Sequence, residues 1–596
     1  MTIKRTFGWI QNPSNLKTLR KVVVSLCNGS EEQESLINYK LPLLLKNKLI
    51  SQENYDNFKR CLKSEDYSFS VLKGKNSGSS RKDAICTGIV QAIIDAQKFV
   101  QVKDLDEKIV RIKKPYSDDW SSEGYIRWAI ALGLIEYAED KDTCSVSLTG
   151  RQLSNTKVDS QEEQEIIKKS ILAYPPAMRI LQLLSVDPNV ALSKFELGSK
   201  LGFKDEQGFT SVPLEYFVAS LCSSENKSKV KSDLEGDSDK YARTIASWLQ
   251  QLGWVEKVKK TVKSISCYGI EYKNISIGSG YKITLEGLKS YKKANGYSKH
   301  PRMPRRVSFQ MLASKAESAE YLRKRRAGII QSLSKSPKKI CSIQKFLISM
   351  NVNATEEIIV DDIKGLNNIG LSIIKKDDKY KLEDTVYGLI IPKENIEADE
   401  IIKLKDELSQ NLKYIDHKYL ILVDYAFSDK NGSLKGADAR SFEIETANLF
   451  TKELNFKGRR LGDSNRPDVI ISYEQDGAII DNKSYKNGFS IDKHCADEMQ
   501  RYIVQNLKRT PGIPANEWWK EFEKDVKNFY FLFISSKIIG NFKNNLNELS
   551  SNTGIKGAAI SVDNLLYLSD KLKGNELKYS EFFDLINNDE IISTSR

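Results

Sequence analysis

Chemistry that depends on histidine, on paired cysteines or on a phosphate-binding loop has little to work with in this chain. Three histidines (His300, His417, His494) occur in 596 residues, and eight cysteines are scattered without a Cys-x-x-Cys. HExxH and GxxxxGK[ST] are both absent. Zinc hydrolysis and ATP-driven work are therefore disfavoured. The cysteines read as isolated reduced thiols, and His494 as a solvated bystander. No apolar run approaches the roughly 18 residues of a membrane span, and the opening MTIKRTFGWIQNP has no signal-peptide core, so a cytoplasmic protein is expected.

What is present suits a soluble, multi-domain protein. Hydrophobic residues make up 40% and charged residues 29%, which allows packed cores, and a chain of this length is expected to divide into about four domains. The net charge of +13 is unevenly placed. From residue 401 onward 28 Lys+Arg face 29 Asp+Glu, so the remaining 64 basic and 50 acidic residues lie before it. A basic excess confined to one part of a chain is expected where that part grips a polyanion.

Three segments repeat one pattern: Ser121 to Leu153, Asp239 to Tyr291, and a degraded copy at Ile363 to Asp384. In each, apolar residues at helical spacing run into Leu132-Gly133, Leu252-Gly253 or Ile369-Gly370, where glycine can take the left-handed conformation that stops a helix. An apolar strand, a polar turn and a second strand (SVSLTG, YKITLEG, YKLED) follow. A helix closing onto a β-hairpin is the sequence shape of a winged helix, whose recognition helix can enter the major groove. The third copy reads as structural. Planar donors and amides near the first two copies are candidate base readers: Gln11, Asn12, Arg81, Gln97, Lys240 and Arg243.

The stretch RPDVIISYEQDGAIIDNKSY (Arg466 to Tyr485) reads as a hairpin, with β-branched runs either side of EQDG. Period two puts Asp481 and Lys483 on one face of its second strand, and antiparallel pairing can bring Asp468 beside Asp481. Two convergent carboxylates can hold Mg²⁺ through hard oxygen ligands, with Glu443 on the preceding amphipathic helix as a further carboxylate. A lysine beside them can orient a water and neutralise charge developing on phosphorus. Asp497 and Arg501, at i, i+4 in ADEMQRYI, read as an ordinary intrahelical pair.

Several blocks in order then resemble a known family. GRRLGDSNRPDVIISY, DNKSYKNGF, ADEMQRYI, NEWWKEF and FYFLFISSKIIGNFK, with RTFGWIQNP, WSSEGYIRWAIALG, AYPPAMRIL, SDKYAR and PRRVSFQMLASKAESAEYLRKRRAGII, are similar to the type IIS restriction endonucleases of the FokI family over nearly the whole chain. The resemblance implies an α+β multidomain protein. Three winged-helix-type recognition subdomains (1–157, 158–300, 301–388) would be followed by a linker (389–402) and a PD-(D/E)xK nuclease domain of α/β/α build (403–596). It implies Asp468, Asp481 and Lys483 as catalytic residues, Asp468 and Asp481 as Mg²⁺ ligands, and Asp497 and Arg501 as contacts of a transient nuclease-domain dimer, with a monomer otherwise. It adds Trp120 and Glu235 to the DNA-contacting residues. The expected partner is double-stranded DNA with a short asymmetric site of the GGATG class, cut outside the site to leave 5′ overhangs. Upstream of Glu235 the family's paired Asn is missing, with Ser232 and Asp233 there instead. The alternative is a sequence-specific regulator whose nuclease-like domain is inactive.

Overall fold

Helix termination sets the architecture of the first 390 residues. In the computed structural model, which describes residues 8–74, 87–94, 99–114, 116–117, 119–138, 141–204, 206–267, 270–297, 299–314, 319–392, 400–427, 437–462, 466–512 and 516–593, the repeated pattern forms three times. Helices α1 (Asp119–Ala131), α2 (Asp237–Gln251) and α3 (Glu356–Asn368) each stop at a positive-φ glycine: Gly133, Gly253 and Gly370. The same two closing bonds recur. Gly133 N–H donates to Ile130 O and Leu134 N–H to Ala129 O, and the corresponding pairs are Gly253 to Gln250 with Trp254 to Leu249, and Gly370 to Asn367 with Leu371 to Leu366. This double closure is a Schellman motif, and it turns the chain directly into a strand.

The hairpins follow as antiparallel pairs: β1 (Ile135–Ala138) with β2 (Thr143–Val146), β3 (Val255–Cys267) with β4 (Ile270–Ile283), and β5 (Ile373–Lys376) with β6 (Lys379–Leu382). In the first two, the second strand ends earlier than the sequence pattern suggested, at Val146 and Ile283. Ser147 and Thr284 accept bonds from the Gly150 and Gly287 amides, 3.0 Å each. They cap the helices Leu148–Ser154 and Leu285–Ala294. Side-chain capping thus converts LTG and LEG from strand into helix.

Apolar residues from Trp9 to Leu382, with Ile402, make one continuous core across the three recognition units, and a smaller cluster around Phe195, Phe217, Val218 and Leu221 packs separately within the second. Trp128 of α1 stacks on Trp248 of α2, with centroids 4.1 Å apart and planes at 11°, a contact contributing about 1 kcal/mol beyond its buried area. The segment from Gly8 to Leu16 runs through the junction. Trp9 Nε1 donates to Met311 O (2.8 Å), the Tyr174 hydroxyl donates to Gly8 O, and Leu16 N–H donates to Gln251 Oε1 (3.0 Å).

Beyond residue 400 a six-stranded sheet organises the chain. Its order is β7 (Lys457–Arg460), β8 (Val469–Tyr473), β9 (Asp476–Lys483), β10 (Asn528–Ser535), β11 (Gly557–Ser561) and β12 (Asp589–Ile591). The first three strands form an antiparallel meander and the rest pair in parallel. One face (Val469, Ile471, Ala478, Ile480, Leu532) is covered by α4 (Ala437–Asn448) and α7 (Val562–Lys573). The other (Ile470, Ile479, Phe531, Phe533) is covered by α5 (Lys493–Lys508) and α6 (Phe542–Thr553). Central strands buried on both faces read as near-continuous apolar runs, as VII and GAII do here. The helix Glu400–Asn411 begins inside the stretch read as linker.

Candidate active site

The β8–β9 hairpin turns tightly, with Tyr473 paired to Asp476, and its register places Val469 opposite Ile480. Continuing that register sets Asp468 opposite Asp481, as the spacing predicted. The register is set by the two-residue turn that joins Tyr473 to Asp476. The Asn482 amide donates to Asp468 Oδ2 at 2.7 Å, and Asn482 Nδ2 donates to Thr446 Oγ1 on α4 at 2.6 Å, which locks the strand end to the helix.

Period two then puts Asp481 and Lys483 on the α5 face, both buried. Lys483 Nζ lies 2.8 Å from Asp481 Oδ2 and 3.4 Å from Glu498 Oε2. Burial works against the ammonium, but Asp481 outweighs it and holds Lys483 protonated, its pKa well above the ordinary lysine value. The Tyr502 hydroxyl donates to Glu498 Oε1 (3.1 Å), steadying that second carboxylate.

The carboxylates are crowded. Asp468 keeps some surface open, but its carboxyl is walled in, and burial, then Glu443, then Asp481 push its pKa well above the usual range. Asp481 Oδ2 is buried with no aligned hydrogen bond despite the nearby ammonium. A buried carboxylate pair at one strand end fits a hard divalent cation, which would relieve the repulsion between the two. Glu443 is engaged elsewhere: its Oε2 is 2.7 Å from Arg460 Nε and 2.6 Å from Nη2. Arg460 in turn donates to the Tyr216 hydroxyl on the recognition side and lies 5.1 Å over that ring.

Comparisons with known proteins place this geometry. Family descriptions for FokI match in sequence order: recognition domain subdomain 1 at 5–156, subdomain 2 at 163–299, the D3 domain at 312–378 and the cleavage domain at 398–593. The chain is 36% identical to the type II restriction enzyme FokI of Planomicrobium okeanokoites over 600 residues, covering 98% of this chain and 99% of the relative. It is 32% identical to the type II restriction enzyme StsI of Streptococcus sanguinis over 486 residues, 78% of each. The solved structure of restriction endonuclease FokI superposes with a TM-score of 0.87, 36% identity and coverage of 99% and 100%. FokI bound to DNA superposes at 0.86 with 35% identity, again covering 99% and 100%. This chain is a type IIS restriction endonuclease of the FokI family.

In this FokI-family enzyme the candidate base readers of the second unit are already paired. Glu235 Oε1 is 2.9 Å from Lys194 and 2.8 Å from Arg243 Nε. Burial opposes its charge, yet Lys194 and then Arg243 hold Glu235 below the usual carboxylate range. Lys240 lies 3.7 Å from Asp237, and Gln11 Nε2 donates to the same carboxylate at 2.6 Å. Thr244 Oγ1 donates to Gln11 O at 2.5 Å. Residues 226 to 233 positions apart thus meet at the start of α2. Asn12 sits half-buried beside Gln11, and Trp120 at the start of α1 is 48% exposed. Asp233 is exposed at the end of the helix Lys227–Asp233, which also holds Ser232. Arg81 and Gln97 lie outside the described residues.

Asp497 and Arg501 are both exposed on α5. The intrahelical pair expected between them gives way to one between Arg501 Nη2 and Glu498 Oε1, 3.5 Å, with the guanidinium 5.0 Å over Tyr502. Sequence reasoning passed over Glu498 and Arg460. Glu498 had a signal: it flanks the buried stripe Cys495, Met499 and Tyr502 at helical spacing. Arg460 had none, because its partners lie 17 and 244 residues away.

Proposed function

We propose that the enzyme binds a short asymmetric duplex site of the GGATG class through its first 388 residues and hydrolyses both strands at a fixed distance outside it, leaving 5′ overhangs. The observation that carries the catalytic half is the meeting of Asp468, Asp481 and Lys483 at one strand end. Asp468 and Asp481 would hold Mg²⁺, which when bound acidifies a water and polarises the phosphate. Lys483, kept charged by Asp481, orients the attacking water and offsets charge building on phosphorus. Glu498 keeps the ammonium from collapsing wholly onto Asp481. Glu443 joins the set only if Arg460 releases it. On the binding side, Gln11, Asn12, Trp120, Glu235, Lys240 and Arg243 contact the DNA, and Arg243 and Lys240 exchange carboxylate partners for bases or phosphates.

One carboxylate–lysine site serves one strand at a time. A double-strand break therefore requires two nuclease domains to pair, through Asp497 and Arg501, in an otherwise monomeric cytoplasmic enzyme. The test is end-mapping on linear DNA carrying one GGATG site, with Mg²⁺, for wild type and Asp481→Ala, repeated over a range of enzyme concentrations. Staggered ends at one offset from wild type alone, at a rate per enzyme that climbs with concentration at fixed site occupancy, are expected. Site binding without cleavage by either protein sinks the catalytic reading, and a concentration-independent rate sinks the pairing.

A further inference from the structure

The first turn of α5 carries a cluster that the reaction does not use. Asp492, His494 and Cys495 bring a carboxylate oxygen, an imidazole nitrogen and a thiol sulfur within 4.8 Å of one another. Asp492 caps the helix through Oδ1, accepting from the Cys495 amide at 2.8 Å, and a carboxylate so engaged can still ligate through its other oxygen. His494 and Asp492 are exposed, while Cys495 is 5% exposed and belongs to the core beneath α5.

The loop leading into the cluster is rigidly held. Phe489 and Ile491 are buried, Phe489 N–H donates to Lys537 O (2.8 Å), Ile539 N–H donates to Phe489 O (2.9 Å), and Asn545 Nδ2 donates to Ile491 O (2.6 Å). A donor set fixed from behind in this way is preorganised. Tetrahedral ligation needs donors about 3.5 Å apart, which rotation of the two exposed side chains can supply.

The cluster also lies one turn along α5 from Glu498, whose carboxylate is 3.4 Å from Lys483 Nζ. Burial outweighs the Lys483 ammonium and, with Asp492, pushes the thiol up to about 12, so a metal must displace its proton. Sulfur and nitrogen donors suit a borderline cation and reject Mg²⁺, so the two sites would select different metals.

We propose that Asp492, His494 and Cys495 form a second metal site, for a borderline divalent cation such as Zn²⁺, whose occupation slows DNA cleavage. Binding forms a metal–sulfur bond and releases the thiol proton to solvent, so one net positive charge is added beside Lys483. That charge repels the ammonium from the sulfur side and disturbs its balance between Asp481, Glu498 and a phosphate. The inhibitory half rests on the catalytic reading above; the binding half does not.

The test uses the full chain without DNA, titrated with Co²⁺ as the spectroscopic probe, for wild type, His494→Ala and Cys495→Ser. One equivalent of cobalt should give a thiolate-to-cobalt charge-transfer band in wild type and none in either variant. His494 is exposed, so its loss does not threaten folding. Absence of the band, or a band that survives Cys495→Ser through the exposed Cys222 or Cys341, overturns the site. In Mg²⁺-driven cleavage, added Zn²⁺ should slow wild type on the order of tenfold, reversibly by chelation, and leave both variants fast. Equal inhibition of all three proteins would assign the effect to the carboxylate pair and overturn the coupling. If wild type fails to cut in Mg²⁺ alone, the catalytic reading falls while the cobalt band still decides the site.

Discussion

Asp468→Asn should stabilise the metal-free nuclease domain while abolishing cleavage. The carboxyl is enclosed, sits against Asp481 and feels Glu443. The hydrogen bond it accepts from the Asn482 amide, at 2.7 Å, can be kept by an asparagine oxygen. The substitution is near-isosteric and removes a buried charge from a cluster of like charges. Burying an unpaired ionised group costs several kcal/mol, of which partial opening to solvent leaves a gain on the order of 1–3 kcal/mol near pH 8. The pH dependence follows in sign. A carboxyl whose folded pKa is raised holds its proton more tightly when folded, so stability is fully present below the unfolded value of about 3.9 and falls as pH climbs toward the folded value. The advantage of the asparagine variant should therefore grow from about pH 4 upward. Urea unfolding in chelator, followed by a probe in the nuclease domain at several pH values, measures it. Adding Mg²⁺ should reverse the order, because ligand at about a thousand times its Kd stabilises wild type by about 4.1 kcal/mol, more than the advantage of the variant, which has lost a ligand. A variant less stable than wild type by 1 kcal/mol or more at every pH would refute the account of a repulsive carboxylate pair.

Two further outcomes follow from the same geometry. Lys483→Ala should cut about 10²–10³-fold more slowly with site binding unchanged in a gel-shift titration; equal loss of binding would mean that the lysine grips DNA rather than serving the reaction. Arg243→Ala should cost about 1–3 kcal/mol of binding to the specific site and little on random DNA, and a uniform loss on both would reassign Arg243 to phosphate contact.

Much of this enzyme was legible in order along the chain. The three helix stops at Gly133, Gly253 and Gly370, and the hairpin carrying Asp468, Asp481 and Lys483, follow from local rules: positive φ at glycine, and period two in a strand buried on both faces. These rules act over a few residues, so sequence alone determined them. It overran the strands at Ser147 and Thr284, where capping competes with pairing over the same residues. Tertiary structure alone decided the rest. That α1 and α2 share one core through Trp128 and Trp248, that Gln11 meets Asp237, and that Arg460 joins Glu443 to Tyr216 all depend on residues far apart in the chain. Such contacts leave no periodicity in a sequence. His494 and Cys495 show the same limit at short range. Each alone reads as a bystander, and only the fold that caps α5 with Asp492 sets the three donors together, one turn from the Glu498 that meets Lys483.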